Sequence, residues 1–190
     1  MAKVILDSLI KHMTRGILIK KDELDLLTSE TPTNIKYLLI SNMEDGLISD
    51  SLQSLTKLEK GFDRYLVHNN DLLITKFGSP HKVIVAQIED DKKIIVSGNI
   101  FSIQLDLSQV DPFYLASFFN SDEGKEKLQE VSNEKVLSCI KLNMFKNMEI
   151  DLPNLEEQKA IGREYLDLVN KISAIKNELN ENIEKLNHIL

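Results

Sequence analysis

The 190-residue sequence has no tryptophan, one cysteine, four prolines and seven glycines. The lone Cys139 leaves no intrachain disulfide framework and suits a reducing compartment. No run of ~18 apolar residues is present, which excludes a membrane-spanning helix, and the N-terminus lacks a signal-peptide pattern, so the expected location is the cytoplasm. The four histidines (His12, His68, His81, His188) show no metal-ligand spacing, and nothing in the chain calls for a metal or a cofactor. No Ser/His/Asp set, paired-carboxylate spacing or nuclease-like Asp…Glu-x-Lys arrangement stands out, so no catalytic residue is assigned.

What is present is a hydrophobic content of 42%, ample for a core, and a net charge of −7. That charge argues against indiscriminate nucleic-acid binding. The charges are nevertheless segregated. Between Asp71 and Glu89 the only charged side chains are Lys76 and Lys82, with His81 beside them. Between Asp91 and Asp106 they are Lys92 and Lys93, and between Glu134 and Glu149 they are Lys135, Lys141 and Lys146. If these acid-free windows meet in space they form a basic surface on an acidic protein. The alternative is that strands are simply poor in Asp and Glu.

Periodicity and turn chemistry predict an α+β fold: a small mixed or antiparallel curved sheet with flanking helices, then a long coiled-coil helix. Residues 1–30 read as partly helical and amphipathic, through Val4, Ile5, Leu9, Met13, Leu24 and Leu27. Lys36–Ser41 reads as a strand before the turn Glu44-Asp45-Gly46, residues 47–63 fit neither period, and Arg64–Val67 reads as a short strand. Four β-rich runs follow, Leu72–Phe77, Lys82–Ile88, Ile94–Ser97 and Ile100–Leu105, in the pattern of a meander or strongly curved sheet. Asp111-Pro112 starts a helix as N-cap and N1 proline, and Asn120 with Glu123 is expected to cap a second. Residues 131–141 read as a polar loop, and Met148–Leu152 as the last strand.

From Asn154 onward the pattern is heptad. Asn154 with Glu157 forms an N-terminal capping signal. Ile161, Tyr165, Leu168, Ile172, Ile175, Leu179, Leu186 and Ile189 then recur at steps of four and three, broken only by Asn182. A helix of that length spans ~54 Å at ~1.5 Å per residue, more than a small core requires. The expected division is a domain over 1–153 and a pairing helix over 154–190.

Two local motifs invite chemistry. Asp111-Pro112-Phe113-Tyr114 is similar to the (Asp/Asn)-Pro-Pro-Tyr tetrad of amino-methyltransferases, but its third residue is Phe and no Gly-rich turn for a methyl donor accompanies it. The helix-start reading explains these residues without catalysis. Gly78-Ser79-Pro80-His81-Lys82 lacks the spacing of a nucleotide-binding loop. Lys76, Ser79, His81 and Lys82 nonetheless set donors around one turn, where they could meet phosphates or base edges; an exposed hairpin is the bland alternative.

The order of segments resembles one target-recognition half of the specificity subunit of type I restriction-modification systems. The matching pieces are Lys36-Tyr37-Leu38-Leu39-Ile40 with Asp45-Gly46, Asp71 to Ser79, Val110 to Leu115 with Phe119-Asn120-Ser121, and Ile150 to Ile161. The last is the most specific: a strand ending in Pro153, then a helix opening with Glu156-Glu157-Gln158. The resemblance implies a non-catalytic subunit with two such halves, each a DNA-reading domain followed by a helix. The two helices pair antiparallel, and partner methylation (M) and restriction (R) subunits act on the DNA. It points to Lys76, Ser79, His81, Lys82, Lys135 and Lys141 as DNA-facing, and to the helix seam (Ile161, Tyr165, Leu168, Ile172, Ile175, Leu179, Leu186) as the pairing surface.

The sequence covers one such half, as a naturally split subunit, a fragment or a relative with another role would; if it has only one half, the second helix is expected from another copy or a different chain. With Ile161, Leu168, Ile175, Asn182 and Ile189 at d, the g positions Glu164, Lys171, Glu178 and Lys185 alternate in sign. An antiparallel self-pair with Ile172 opposite Ile175 and Leu168 opposite Leu179 matches Glu164 with Lys185 and Lys171 with Glu178, and sets Tyr165 opposite Asn182. A slide of one heptad brings like charges together, and a parallel pair opposes Lys171 and Lys176. The expectation is an antiparallel homodimer reading an inverted repeat. The alternative is a helix-mediated interaction module without DNA recognition. A free-standing methyltransferase would need a methyl-donor site that the chain does not display.

Overall fold

The computed structural model describes residues 2–132 and 138–189. Its centre is a four-stranded antiparallel sheet in the order β2 (Ile10–Arg15), β10 (Ile100–Leu105), β7 (Leu72–Thr75) and β8 (Val83–Val85). Across β10, β7 and β8 both faces of this sheet are buried, which is why these three strands read as nearly continuous apolar runs, while the edge strand β2 is partly exposed. Successive side chains alternate between two cores. Leu72, Ile74, Val83, Val85, Phe101, Ile103 and Leu105 enter the larger, with Tyr114, Leu115 and Phe119 of helix α2 (Pro112–Asn120) and Leu128 of α3 (Asp122–Glu130). Leu73, Ile84 and Ile100 enter the second, with Leu38 of β3 (Ile35–Leu38) and Ile94 and Val96 of β9 (Lys93–Val96).

A three-stranded sheet, β6 (Gln53–Ser54), β3 and β9, packs beyond that second core, β3 and β9 running parallel. It covers a third cluster with α1 (Lys21–Leu27) through Leu27, Tyr37, Leu55 and Ile95. Two ribbons complete the fold: β4 (Met43–Glu44) with β5 (Leu47–Ile48), and β1 (Ala2–Ile5) with β11 (Glu149–Leu152). The short α4 (Leu142–Lys146) precedes β11, and α5 (Leu155–Asn187) closes the chain.

The α+β class and the long final helix agree with the sequence reading; several details do not. Residues 2–15 hold no α-helix, and the helical part of the N-terminal stretch is α1. Val4 and Ile5 lie in β1 and Met13 in β2, separated by a 3₁₀ turn, Leu6–Leu9, whose two leucines are buried. Pairing with β11 and β10, far away in sequence, overrides the local period. The four central runs are not a simple meander: β7, β8 and β10 share a sheet, but β9 crosses to pair with β3. Of the strand expected over Arg64–Val67, Arg64 and Tyr65 instead belong to a 3₁₀ turn, Asp63–Tyr65, while Leu66 bridges Ile95. The cap of α3 is Ser121, whose hydroxyl accepts from the Gly124 N–H, not Asn120.

Candidate nucleic-acid interface and pairing helix

The pieces that carry the resemblance hold the helix to the domain. Asn154 caps α5, its side chain accepting from the Glu157 N–H at 3.0 Å. Gln158, in the first turn, is almost fully buried. Its Oε1 accepts from the Asp111 N–H at 2.9 Å, and its amide donates to the carbonyls of Gln109 (3.2 Å) and Pro153 (2.8 Å). One side chain thus ties the start of α5 to the start of α2. One turn later Gly162 lets the two helices touch: a Cβ there would lie 2.3 Å from Asp111 Oδ1, the atom that caps α2 by accepting from the Tyr114 N–H.

Further along, the hairpin turn Asp45-Gly46 sits on the same face of α5. Both residues have positive φ (49° and 85°), the geometry of a tight hairpin for which Gly is suited. A Cβ on Gly46 would meet Tyr165 and Val169 within 3.1 Å. Asp45 is ion-paired with Lys176. Tyr165, expected at the seam, is half-buried and packs on the main core, its hydroxyl accepting from the Asn120 amide at 2.9 Å. Burial pushes that phenol above its usual pKa. Ile161, Leu168, Ile172, Ile175, Leu179 and Leu186 are exposed, and with Ile183 and Ile189 they form a stripe whose members range from 40% to 76% accessible.

The two outer lysine windows meet. Phe77 bridges Cys139, the Gly78 N–H donates to the Ser138 carbonyl at 3.1 Å, and the Ile140 N–H donates to the Lys76 carbonyl at 3.1 Å. The loop after α3 is therefore stitched to the β7–β8 turn. Ser79, Lys82 and Lys141 are exposed there, and Lys76 lies over the Phe77 ring at 4.8 Å. Lys82 Nζ donates to the Ile40 carbonyl at 3.2 Å. Lys135 lies outside the described residues. The middle window does not join: Lys93 sits in the other sheet and Lys92 is bound to Glu89 at 2.9 Å. Lys146 is paired with Asp7 at 3.0 Å.

His81 departs from the expectation. It is 5% exposed and faces inward, not toward a ligand. The Thr75 carbonyl, 2.9 Å from Nδ1, can only accept, so Nδ1 carries the proton. Nε2 then accepts from a hydroxyl, Ser132 at 2.9 Å or Ser138 at 3.4 Å. Burial pushes its pKa down and keeps the ring neutral. His81 is the pin that fastens the loop.

Sequence reading missed Lys125, Gln129 and Ser138. Two open clefts of about 470 and 290 Å³ share Pro80, His81 and Lys125; Lys82 and Asn120 also line the first, Ser79, Gln129 and Ser138 the second. Lys125 is hidden in sequence among Asp122, Glu123 and Glu126, yet α3 turns it toward the β7–β8 loop, leaving only a loose contact with Asp122 at 4.0 Å. The second cleft thus combines neutral hydrogen-bonding groups with a cation, a mixture suited to a nucleic-acid surface, whereas Glu44 and Asp45 stand on the far wall of the first. Among the described residues no cluster of three metal-ligating side chains occurs, and no helix is long and apolar enough to cross a membrane.

A central antiparallel sheet, a stitched lysine turn and a projecting helix held at Gln158 and Gly162 define an α+β domain that carries a long exposed helix. Residues 14–185 match the family "Type I restriction modification DNA specificity domain", and the chain belongs to that family. It is 23% identical over 159 residues to the type I restriction enzyme EcoBI specificity subunit of Escherichia coli, covering 82% of this chain and 33% of that protein. It is 28% identical over 150 residues to the putative type I restriction enzyme MjaX specificity subunit of Methanocaldococcus jannaschii, covering 74% and 34%. The chain thus spans about a third of the length of these relatives. In fold it is similar to the HsdS subunit from Thermoanaerobacter tengcongensis, with a TM-score of 0.62 at 15% identity over 93% of this chain and 39% of that one. A type I S subunit from M. genitalium gives 0.54 at 18% identity, over 95% and 40%.

Proposed function

We propose that this chain is a non-catalytic DNA-recognition half: residues 1–153 read one half-site of a bipartite target, and the helix from 154 joins a second half. Methylation and restriction subunits would then act on the DNA so located. The observation that carries this reading is the meeting of two acid-free windows at the β7–β8 turn, which brings the Lys76 and Lys141 segments together beside two clefts, one lined by Lys82 and Lys125 and the other by Lys125 with Ser79, Gln129 and Ser138. A local cationic surface on a chain of net charge −7 favours a confined DNA contact over coating of the duplex. The exposed stripe on α5 supports pairing with a second copy of this chain.

The test is selection of bound sequences from random duplex DNA by the chain assembled with its methylation subunit, followed by binding at several salt concentrations. Lys82→Glu with Lys125→Glu should abolish retention of the selected duplex without dissociating the protein complex. Unchanged binding would remove these lysines from the interface. Co-purification with partners but no duplex protected even at low salt would favour the other reading, an assembly module that does not recognise DNA.

A further inference from the structure

Docking of the domain limits how two copies of α5 can pair. At about 100° per residue around the helix axis, Gln158, Gly162, Tyr165, Val169 and Lys176 fall on one narrow face, the one the domain occupies. Leu168, Ile172, Ile175, Leu179 and Leu186 form a stripe about a quarter-turn away. A second, antiparallel copy on that stripe is related by a two-fold axis normal to the plane of the two helices, so both domains lie on the same side of that plane. Helix axes in such pairs are about 8–10 Å apart. Two domains cannot share one level along them.

The domain reaches far along its own helix. Asp45 holds Lys176, and the segment Leu47–Ser51 faces Ser173, Asn177 and Asn180 across a groove of about 560 Å³. In the register with Ile172 opposite Ile175, the partner's Asn180 lies level with Asp167. The two domains would overlap from Asp167 to Asn180, roughly 20 Å of helix at ~1.5 Å per residue. The charge match that favours this register in the sequence does not remove that overlap.

We infer that the β4–β5 hairpin and the segment after it act as a steric stop, and that a self-pair of this chain is displaced two heptads outward. Ile175 then faces Leu186, Ile172 faces Ile189, and Leu179 faces Asn182. At this spacing the two hairpin segments abut near Asn180 and no longer overlap. A slide of one heptad leaves about 9 Å of overlap and opposes Glu178 to Glu178 and Lys171 to Lys185. A slide of two relieves the overlap and opposes Glu178 to Lys185 on both sides of the dyad. Glu178 and Lys185 are exposed and lie on the side of the helix away from the domain, where nothing obstructs that contact. The slide moves the domains apart by about 21 Å, equivalent to about six base pairs of duplex at ~3.4 Å each.

This inference rests on the self-pairing proposed above, and one set of charge variants separates the two. The dissociation constant of the full chain is measured at low salt by sedimentation equilibrium. Glu178→Lys should weaken the dimer about tenfold, since two attractive contacts become repulsive. Adding Lys185→Glu should restore it, whereas adding Lys171→Glu should not. Rescue by Lys171→Glu would return the register to Ile172 opposite Ile175 and overturn the steric stop, and rescue by neither would overturn the antiparallel contact itself. A wild-type chain that stays monomeric at every concentration would reject the self-pair, a result distinct from these.

Discussion

Gly162→Ala is the sharpest test of how the helix is held, because two physical effects predict opposite signs. In a solvent-exposed helix interior the change should stabilise by about 1 kcal/mol, since alanine is the better helix former. Here the new methyl would sit 2.3 Å from Asp111 Oδ1 and 3.1 Å from both Phe113 Cβ and the Tyr114 nitrogen. Asp111 cannot simply rotate away, because the same oxygen caps α2 at 2.9 Å from the Tyr114 N–H. Losing that cap costs about 0.5–2 kcal/mol, and forcing the helices apart about 1–3 kcal/mol. With the propensity gain subtracted, the expected net loss is about 0.5–4 kcal/mol, read by urea unfolding at fixed pH. The same change made on an Asp111→Ala background should cost much less, because the obstructing oxygen is gone. A Gly162→Ala protein more stable than wild type would refute the close-approach argument; equal losses with and without Asp111 would refute its assignment to that oxygen.

Further outcomes follow from the same contacts. Gln158→Leu should destabilise by about 2–4 kcal/mol, because it strands the Asp111 N–H and the Gln109 and Pro153 carbonyls in a buried joint; chemical unfolding measures it, and a loss under about 0.5 kcal/mol would show the joint to be loose. The folded-state pKa of His81 is depressed by burial, so the unfolded chain takes up a proton first as pH falls. The stability that His81 contributes is complete above its ordinary pKa of about 6.5 and is lost as pH falls from there through the lowered folded value. His81→Gln should therefore show a smaller drop in melting temperature than wild type between pH 7 and pH 5, and parallel curves would dismiss the titration. Tyr165→Phe removes the hydroxyl that accepts from Asn120 and should cost about 0.5–1.5 kcal/mol, again by urea unfolding; a neutral result would place Tyr165 back among the seam residues rather than the domain contacts.

The legibility of this chain divides by the range of the interactions. The caps at Asn154 and Asp111 are local: each oxygen bonds a backbone N–H three residues on, so Glu157 and Tyr114 follow from spacing alone. The strands at β7, β8 and β10 were legible because runs such as Leu72-Leu73-Ile74 suit a sheet buried on both faces, whichever strand lies beside them. The N-terminal strands were not. Val4 and Met13 also fit a helical period, and only β11 and β10, more than eighty residues away, draw them into sheets. Asn120 resembled a cap, but its amide reaches Val83, Ala116 and Tyr165 instead.

By itself the sequence determined the long helix, its caps, its apolar stripe and the separation of lysines from acids, since these depend on neighbours within a turn or on composition. Tertiary structure alone decided which lysine windows meet, that Lys125 lies beside them, that His81 and Tyr165 turn inward, and that the domain reaches along α5 as far as Lys176. The physical reason is that these outcomes depend on which distant backbones are stitched together, as Gly78 is to Ser138 and Gln158 to Asp111, and one-dimensional spacing carries no record of that closure.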